Sequence, residues 1–187
     1  MKRIVLMLVL LMASVAGHAL DFEGIHLMDK VSMGTVPLVL NGGGVRKKWF
    51  FKVYVGALYL PQKQASAEAV IADEHEHRMM LYMLRGLSSS RLYGAFQEGM
   101  EANLTATELA ALDKQVKQMK QIFDSVEEVK DGDIILLDYL PGSGTRITIN
   151  GTERGTIAGA DFNRALLKIW LGEHPAQDDL KKGLLGG

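Results

Sequence analysis

The chain has 187 residues, 48% of them hydrophobic, with a formal net charge of −1. This length suits one domain with a proper core, and the near-neutral charge gives no reason to expect a nucleic acid partner. The absence of cysteine excludes a disulfide scaffold and a lipidated cysteine.

The N-terminal residues 1–19 predict a secretory signal peptide. Lys2 and Arg3 supply a positive start, Ile4–Val15 an apolar core, and small residues end the segment. The apolar core is too short for a comfortable membrane span, although a retained anchor is the alternative. We therefore expect a domain over residues 20–187 that is periplasmic, has no membrane span once the signal is removed, and needs no disulfides.

Short strands are predicted over Phe22–Met28 and Thr35–Leu40, leading into three glycines at 42–44. Consecutive glycines are typical of a turn and let other atoms approach the backbone closely. A β-rich run of about ten residues follows and stops at Pro61. Because neither alternating face of this run is polar, we expect a central strand that is covered on both sides.

Arg46 and Tyr54 are the candidate ligand-binding pair. Arg46 follows the glycines at the mouth of the predicted strand, and a guanidinium holds planar anions through paired hydrogen bonds. Tyr54 comes an even number of residues later, so it faces the same side if the strand is regular that far. The alternative is a solvated turn arginine and a tyrosine that belongs to the core.

The polar segment Gln62–His77 predicts a short helix and a loop. It ends in Asp73-Glu-His75-Glu-His77, whose alternating histidines invite a metal interpretation. No further His or Cys cluster completes such a site, so we predict a solvated acidic loop, no metal and no cofactor.

A strand is predicted over Arg78–Leu84, and the serines at 88–90 offer an N-cap for a helix that runs to about Ala102. Phe96 and Met100 recur at fourfold spacing on its apolar face. The next helix begins at a capping box, Thr105 with Glu108.

The C-terminal part predicts three strands and two helices: Asp133–Leu140, Thr145–Ile149, Thr152–Ile157, a helix capped by Asp161 and ended by Gly172, and a helix over Gln177–Leu185. Asn150-Gly151 between the last two strands is a strong hairpin signal. Strands, helices, strands and a helix in this order indicate an α+β domain with a mostly antiparallel sheet. No phosphate loop, dinucleotide fingerprint, Gly-x-Ser-x-Gly or His-Glu-x-x-His motif appears.

Two blocks resemble the chalcone isomerase family, and in particular its exported bacterial chalcone isomerase-like branch. The first is Gly-Gly-Gly-Val-Arg46 followed by Phe-Lys-Val-Tyr54-Val-Gly-Ala-Leu-Tyr-Leu60, and the second runs from Leu167 to Lys181 through a Gly-Glu-His turn. The resemblance implies an open-faced β-sandwich, with helices packed on one face of a large sheet and a ligand cleft between them.

The resemblance also bears on catalysis. In the family's plant enzymes an arginine at the position of Arg46 steadies an anion during ring closure, and this residue matches. A threonine position falls on Tyr54, and a late threonine or serine falls on or near Ile169. The family's tyrosine–asparagine pair is missing, because Tyr93 is followed at the corresponding distance by Met100. Most polar catalytic positions are therefore unmatched, which favours a non-catalytic member.

Non-catalytic members of the family include fatty-acid-binding proteins in which the arginine and a strand tyrosine hold a carboxylate. By this resemblance we predict a periplasmic protein that binds an apolar anion such as a fatty acid. Arg46 and Tyr54 would hold the anion, and Tyr93, Phe96 and Met100 would surround the chain. Two alternatives stay open: an isomerase or lyase acting on an enone or phenolic substrate, with Tyr54 or Tyr93 as the acid, and a structural partner of an envelope protein system.

Overall fold

The computed structural model describes residues 20–187, so the predicted signal peptide lies outside the described residues. Eleven strands lie in this part of the chain: β1 Leu20–Phe22, β2 Ile25–Leu27, β3 Lys30–Met33, β4 Val36–Lys48, β5 Phe51–Leu60, β6 His77–Met83, β7 Leu87–Ser88, β8 Glu128–Val129, β9 Ile134–Leu140, β10 Gly144–Ile149 and β11 Thr152–Ile157. Six helices accompany them: α1 Ala67–Ala72, α2 Ser89–Asn103, α3 Ala106–Ala111, α4 Asp113–Asp124, α5 Ala160–Leu171 and α6 Asp178–Leu184.

Seven strands form one antiparallel sheet in the order β11-β10-β9-β6-β5-β4-β3. Helices α2 and α5 pack on each other, and their buried side chains join those of the sheet in one core cluster. An antiparallel sheet with helices on one side confirms the predicted α+β class.

Strand β5 is covered on both faces, as its sequence predicts. Leu58 and Leu60 belong to the core beneath the helices, whereas Val55 and Tyr59 belong to a second cluster on the opposite face. The β1–β2 hairpin contributes Leu27 to that second cluster. Side chains alternate across a strand, so burial on both sides explains why neither face of this sequence is polar.

The prediction of a turn at the three glycines is wrong: residues 42–44 lie inside strand β4. Helix α6 crosses over Gly42 and Gly44 on one face of the strand, whereas Leu27 and Phe22 lie against Gly43 on the other face. A Cβ on Gly42 would collide with the carbonyl oxygen of Gly183 and lie 2.9 Å from that of Leu184. The predicted close approach of other atoms to the glycine backbone is therefore present, but the glycines are in an extended conformation. The turn of the β4–β5 hairpin lies at residues 49–50.

Other local predictions had mixed outcomes. The capping box is confirmed, with the Thr105 hydroxyl accepting from the Glu108 N–H at 3.2 Å. The Asn150-Gly151 hairpin is also confirmed, since both residues have positive φ and join β10 to β11. Asp161 does not cap helix α5: Gly159 occupies the N-cap position.

The N-terminal strand and the helix after the capping box are each divided in two. The chain turns between β1 and β2 with positive φ at Glu23 and Gly24, which makes a hairpin in place of one strand. Leu112 separates α3 from α4. None of the helices in residues 20–187 has the length and apolar character that crossing a bilayer demands.

Candidate ligand cavity

A cavity of about 720 Å³ lies between the helices and the sheet. Its wall is mostly apolar and draws on both layers, with Leu81, Leu137 and Ile147 from the sheet and Phe96, Phe123 and Leu166 from the helices. A volume between about 300 and 1,000 Å³ with few polar groups is typical of sites for small apolar ligands.

Arg46 lies near the end of β4, half-buried, and lines the cavity. Its Nη1 donates to the carbonyl oxygen of Lys47 and, at 3.4 Å, to the side-chain oxygen of Gln177. Within residues 20–187 no carboxylate oxygen approaches the guanidinium within 4.0 Å. The cavity therefore has a cation whose charge the described part of the protein does not neutralise.

Tyr54 is the direct cross-strand partner of Arg46 in the β4–β5 hairpin. The two side chains share a face because they are paired across the hairpin, and not because one regular strand connects them, which is what their sequence spacing predicts. The Tyr54 hydroxyl lies in the cavity wall and accepts a hydrogen bond from Trp170 Nε1 at 2.8 Å.

The protonation state of Tyr54 follows from its surroundings. Burial raises the pKa of the hydroxyl above its usual value, and the opposing influences of the Trp170 hydrogen bond and the Arg46 charge are smaller. The phenol is thus neutral at physiological pH. Its own hydrogen has no acceptor among the described residues, so it is free to donate to a ligand.

Gln177 fixes the position of Arg46, and sequence reasoning assigned it no role. Its side-chain oxygen accepts from the Lys47 N–H at 2.7 Å, and its Nε2 donates to the Val45 carbonyl at 3.3 Å. These bonds tie the start of helix α6 to the end of strand β4. The only signal in the sequence was that Gln177 belongs to the C-terminal block used for the family resemblance.

Trp170 was also missed as a site residue, because its position on the apolar face of α5 is typical of a core side chain. The family resemblance points to its neighbour Ile169, and both residues line the cavity. The indole differs in carrying one N–H donor, and this donor holds the Tyr54 hydroxyl in place.

Arg85 is a second arginine on the cavity wall that the sequence did not single out. Its guanidinium carbon lies 4.6 Å from the centre of the Phe51 ring. Its Nε is buried and has no hydrogen-bond partner within the described part of the chain. Lys48 and Arg91 also line the cavity, whereas Glu98 is the one carboxylate among the described lining residues. The lining therefore favours an anion.

The predicted aromatic and methionine residues occupy different positions. Phe96 lines the cavity. Tyr93 packs behind it, with ring centres 5.9 Å from Phe96 and 5.8 Å from Phe123. Met100 is 1% exposed in the core and does not contribute to the lining. Contact of Tyr93 or Met100 with a ligand stays a prediction.

The Asp73–His77 segment splits between solvent and core. His75 is exposed and pairs with Asp73, whereas His77 is buried with its Nε2 3.1 Å from the side-chain amide of Asn163. The segment is therefore not wholly the solvated loop that the sequence predicted. Residues 20–187 contain no group of three or more His, Cys, Asp or Glu side chains arranged to hold a metal ion.

Comparison with known proteins agrees with this architecture. The model of a family described as chalcone isomerase-like matches residues 19–186. A crystal structure of a fatty-acid binding protein from Arabidopsis thaliana superposes with a TM-score of 0.65, at 18% sequence identity, over 87% of this chain and 92% of that one. No curated protein sequence matches the chain significantly.

Proposed function

This chain belongs to the chalcone isomerase-like family, and we propose that it binds a fatty acid in the cavity, with the carboxylate at Arg46 and Tyr54. The observation that carries the proposal is the Arg46 guanidinium, which lines an apolar cavity without a carboxylate partner among the described residues. A half-buried cation beside an apolar wall favours an anionic ligand that also carries a hydrocarbon chain.

The arrangement matches the two ends of such a ligand. Arg46 supplies charge and Tyr54 supplies a neutral hydroxyl donor, so a carboxylate can accept hydrogen bonds from both. The apolar wall can then take the chain out of water, at roughly 25 cal/mol for each Å² removed. The fatty-acid binding of the Arabidopsis protein, which has the same fold, supports this ligand class.

We further propose that the protein works after export to the periplasm. The support is the pattern of residues 1–19, in which two cations precede a short apolar stretch and small residues. Cell fractionation followed by N-terminal sequencing tests this, and recovery of the protein only from the cytoplasm with Met1 intact would contradict it.

The ligand proposal is tested by comparing a long-chain fatty acid with the fatty alcohol of the same length. Wild-type protein should bind the acid more tightly, and Arg46→Ala should weaken acid binding about tenfold to a hundredfold, the value of a charged hydrogen bond. Calorimetric titration measures both ligands.

Arg154→Ala is the matched control, since Arg154 is an exposed arginine on β11 that does not line the cavity. It should leave acid binding unchanged. Equal affinity of the wild type for acid and alcohol would show that Arg46 does not recognise a carboxylate, and the proposal would then be wrong.

A further inference from the structure

The turn between β4 and β5 exposes aromatic side chains to solvent. Trp49 is 86% exposed, Phe50 79% and Phe51 46%. We call residues 47–52 the hairpin tip. Three of the five exposed large hydrophobic residues in the described part of the chain lie in it, next to one another. Single exposed apolar residues are ordinary, but a contiguous group marks a contact surface.

The backbone at Trp49 is in an unusual conformation for such a residue. Its φ is 58°, in the left-handed region where glycine and asparagine are common and a bulky side chain is an outlier. A two-residue hairpin turn favours a positive φ, which glycine would supply at no steric cost, so the hairpin itself does not require an exposed tryptophan at this position. Backbone outliers of this kind concentrate at functional positions.

The hairpin tip is also basic. Lys47, Lys48 and Lys52 flank the aromatic residues. Lys52 pairs with Glu23, and Lys48 lies 3.8 Å from a Glu98 oxygen, whereas Lys47 has no carboxylate partner among the described residues. Aromatic side chains between lysines are typical of segments that lie in the headgroup region of a bilayer.

The hairpin tip is located at the cavity. Lys48, Trp49 and Phe51 each contribute to the cavity lining, and Arg85 contacts the Phe51 ring from the adjacent wall. A ligand that enters the cavity beside the hairpin tip would therefore come directly from the surface that the hairpin tip contacts.

We propose that the hairpin tip docks on the surface of a bilayer that contains anionic phospholipid, so that the cavity exchanges its ligand directly with the membrane. Trp49 and Phe50 enter the headgroup region, and the lysines contact lipid phosphates. The identity of the exchanged ligand rests on the proposed function, whereas the docking itself does not.

The size of the hairpin tip favours a bilayer over a protein partner. A stable protein interface buries about 800 Å² on each side. The hairpin tip has six residues and three exposed aromatic side chains, which is too little surface for such an interface. A fluid headgroup layer, in contrast, accepts a small apolar projection without requiring a complementary shape.

Binding to vesicles tests the proposal, with Trp49 as its own reporter. Vesicles of phosphatidylcholine alone are compared with vesicles that also contain phosphatidylglycerol, each with and without brominated acyl chains that quench tryptophan. Trp49→Phe identifies the part of the signal that comes from Trp170. The variants compared below all keep the same N-terminal residues, so a difference between them is not caused by that apolar segment.

Quenching of Trp49 should require phosphatidylglycerol and should decrease at high salt. Phe50→Ser should weaken binding about tenfold, and Lys47→Gln about fivefold. Met28→Ser is the matched control, because Met28 is 63% exposed away from the hairpin tip, and it should change nothing.

The docking proposal would be overturned if neither kind of vesicle quenches Trp49. It would also be overturned if the quenching does not change with lipid charge or with Phe50→Ser. A third contrary outcome is that the protein binds no vesicle and instead self-associates in a way that Phe50→Ser abolishes. Phe50 does not line the cavity, so Phe50→Ser should still bind fatty acid from solution. Vesicle docking by a protein that shows no preference for the acid over the alcohol would refute the proposed function and leave the docking in place.

Discussion

Arg46 illustrates how one side chain acquires a role through its neighbours. Its position on β4 places it opposite Tyr54, and Gln177 from the start of α6 holds the adjacent backbone. None of these groups carries a negative charge at physiological pH. The guanidinium is thus positioned by neutral groups, which keeps its charge available to a ligand.

His77 is the residue whose titration should affect stability. Burial lowers the pKa of its imidazole below the ordinary value of 6.5, and its ring stacks on Tyr139 at 5.1 Å. In the unfolded chain the same ring takes up a proton near pH 6.5, so the unfolded state binds more protons than the native state below that pH. The free energy of unfolding should be fully retained above pH 6.5 and fall as the pH decreases toward the native pKa.

Chemical denaturation between pH 7.5 and the onset of carboxylate titration, below roughly pH 5, measures this effect. His75 shifts in the opposite direction, because the Asp73 carboxylate raises its pKa. The comparison is therefore made in a His75→Gln background, with His77→Gln added. A pH dependence that survives the removal of His77 would show that another group causes it.

At the scale of elements, helix α6 packs closely on strand β4 because both contribute glycines at the contact. The strand contributes glycines at 42–44, and the helix contributes Gly183, whose own Cβ would meet the backbone of Gly43. Asn41 completes this contact by donating to the carbonyl of Leu184 at 2.7 Å. The contact holds helix α6 on the sheet, and Gln177 lies at the start of that helix. The glycines therefore help to position Gln177 at the cavity although they do not line it.

Gly42→Ala should destabilise the protein by about 1–3 kcal/mol, because the new methyl group meets rigid backbone atoms of α6. Gly94→Ala is the control of opposite sign. Gly94 lies inside helix α2, and no atom lies within 4 Å of the position that its Cβ would take, so alanine there should stabilise by about 0.5–1 kcal/mol. Urea unfolding measures the free energy of unfolding of both variants. Equal changes in this free energy would contradict the close packing of α6 on Gly42.

A second element-scale feature is a buried ion cluster on the sheet. Asp138 on β9, whose side chain is 2% exposed, accepts hydrogen bonds from Arg78 on β6 at 2.6 and 2.9 Å and from Arg146 on β10 at 3.0 Å. These three strands are neighbours, so the cluster links them through side chains in addition to the backbone ladder. Asp138 thus pairs with Arg78 and Arg146, neither of which lines the cavity.

At the scale of the whole molecule, the cavity is a place where the helix and sheet layers do not pack fully. The lining side chains give up packing contacts that a filled core would make. A ligand that occupies the space restores them, so the fold and the ligand should stabilise each other.

Saturating fatty acid should therefore raise the melting temperature. At a free concentration of about 100 times the Kd, the native state gains about 2.7 kcal/mol, or about 5–10 °C for a chain of this size. Scanning calorimetry with and without the acid measures the shift, and Arg46→Ala at the same concentration should show a much smaller one. An equal increase in melting temperature for both proteins would mean that Arg46 does not contribute to recognition of the carboxylate.

The features that the sequence alone determined depend on short-range patterns. Alternation predicted β5 as covered on both faces, Thr105 with Glu108 predicted a helix start, and Asn150-Gly151 predicted a hairpin, because each rests on backbone geometry within a few residues. Other features required the tertiary structure. The glycines at 42–44 are typical of a turn in the sequence, and only the packing of α6 over Gly42 and Gly44 and of the β1–β2 hairpin against Gly43 explains them as part of a strand.

The candidate site divides in the same way. Arg46 and Tyr54 could be selected from residue chemistry and family resemblance, but the Trp170 and Gln177 contacts and the second arginine, Arg85, could not. Those side chains come from segments far apart in the sequence, and an indole or an amide carries no local sign of its partner. Whether a cation is neutralised or available depends on which groups surround it in space, and only the folded chain decides that.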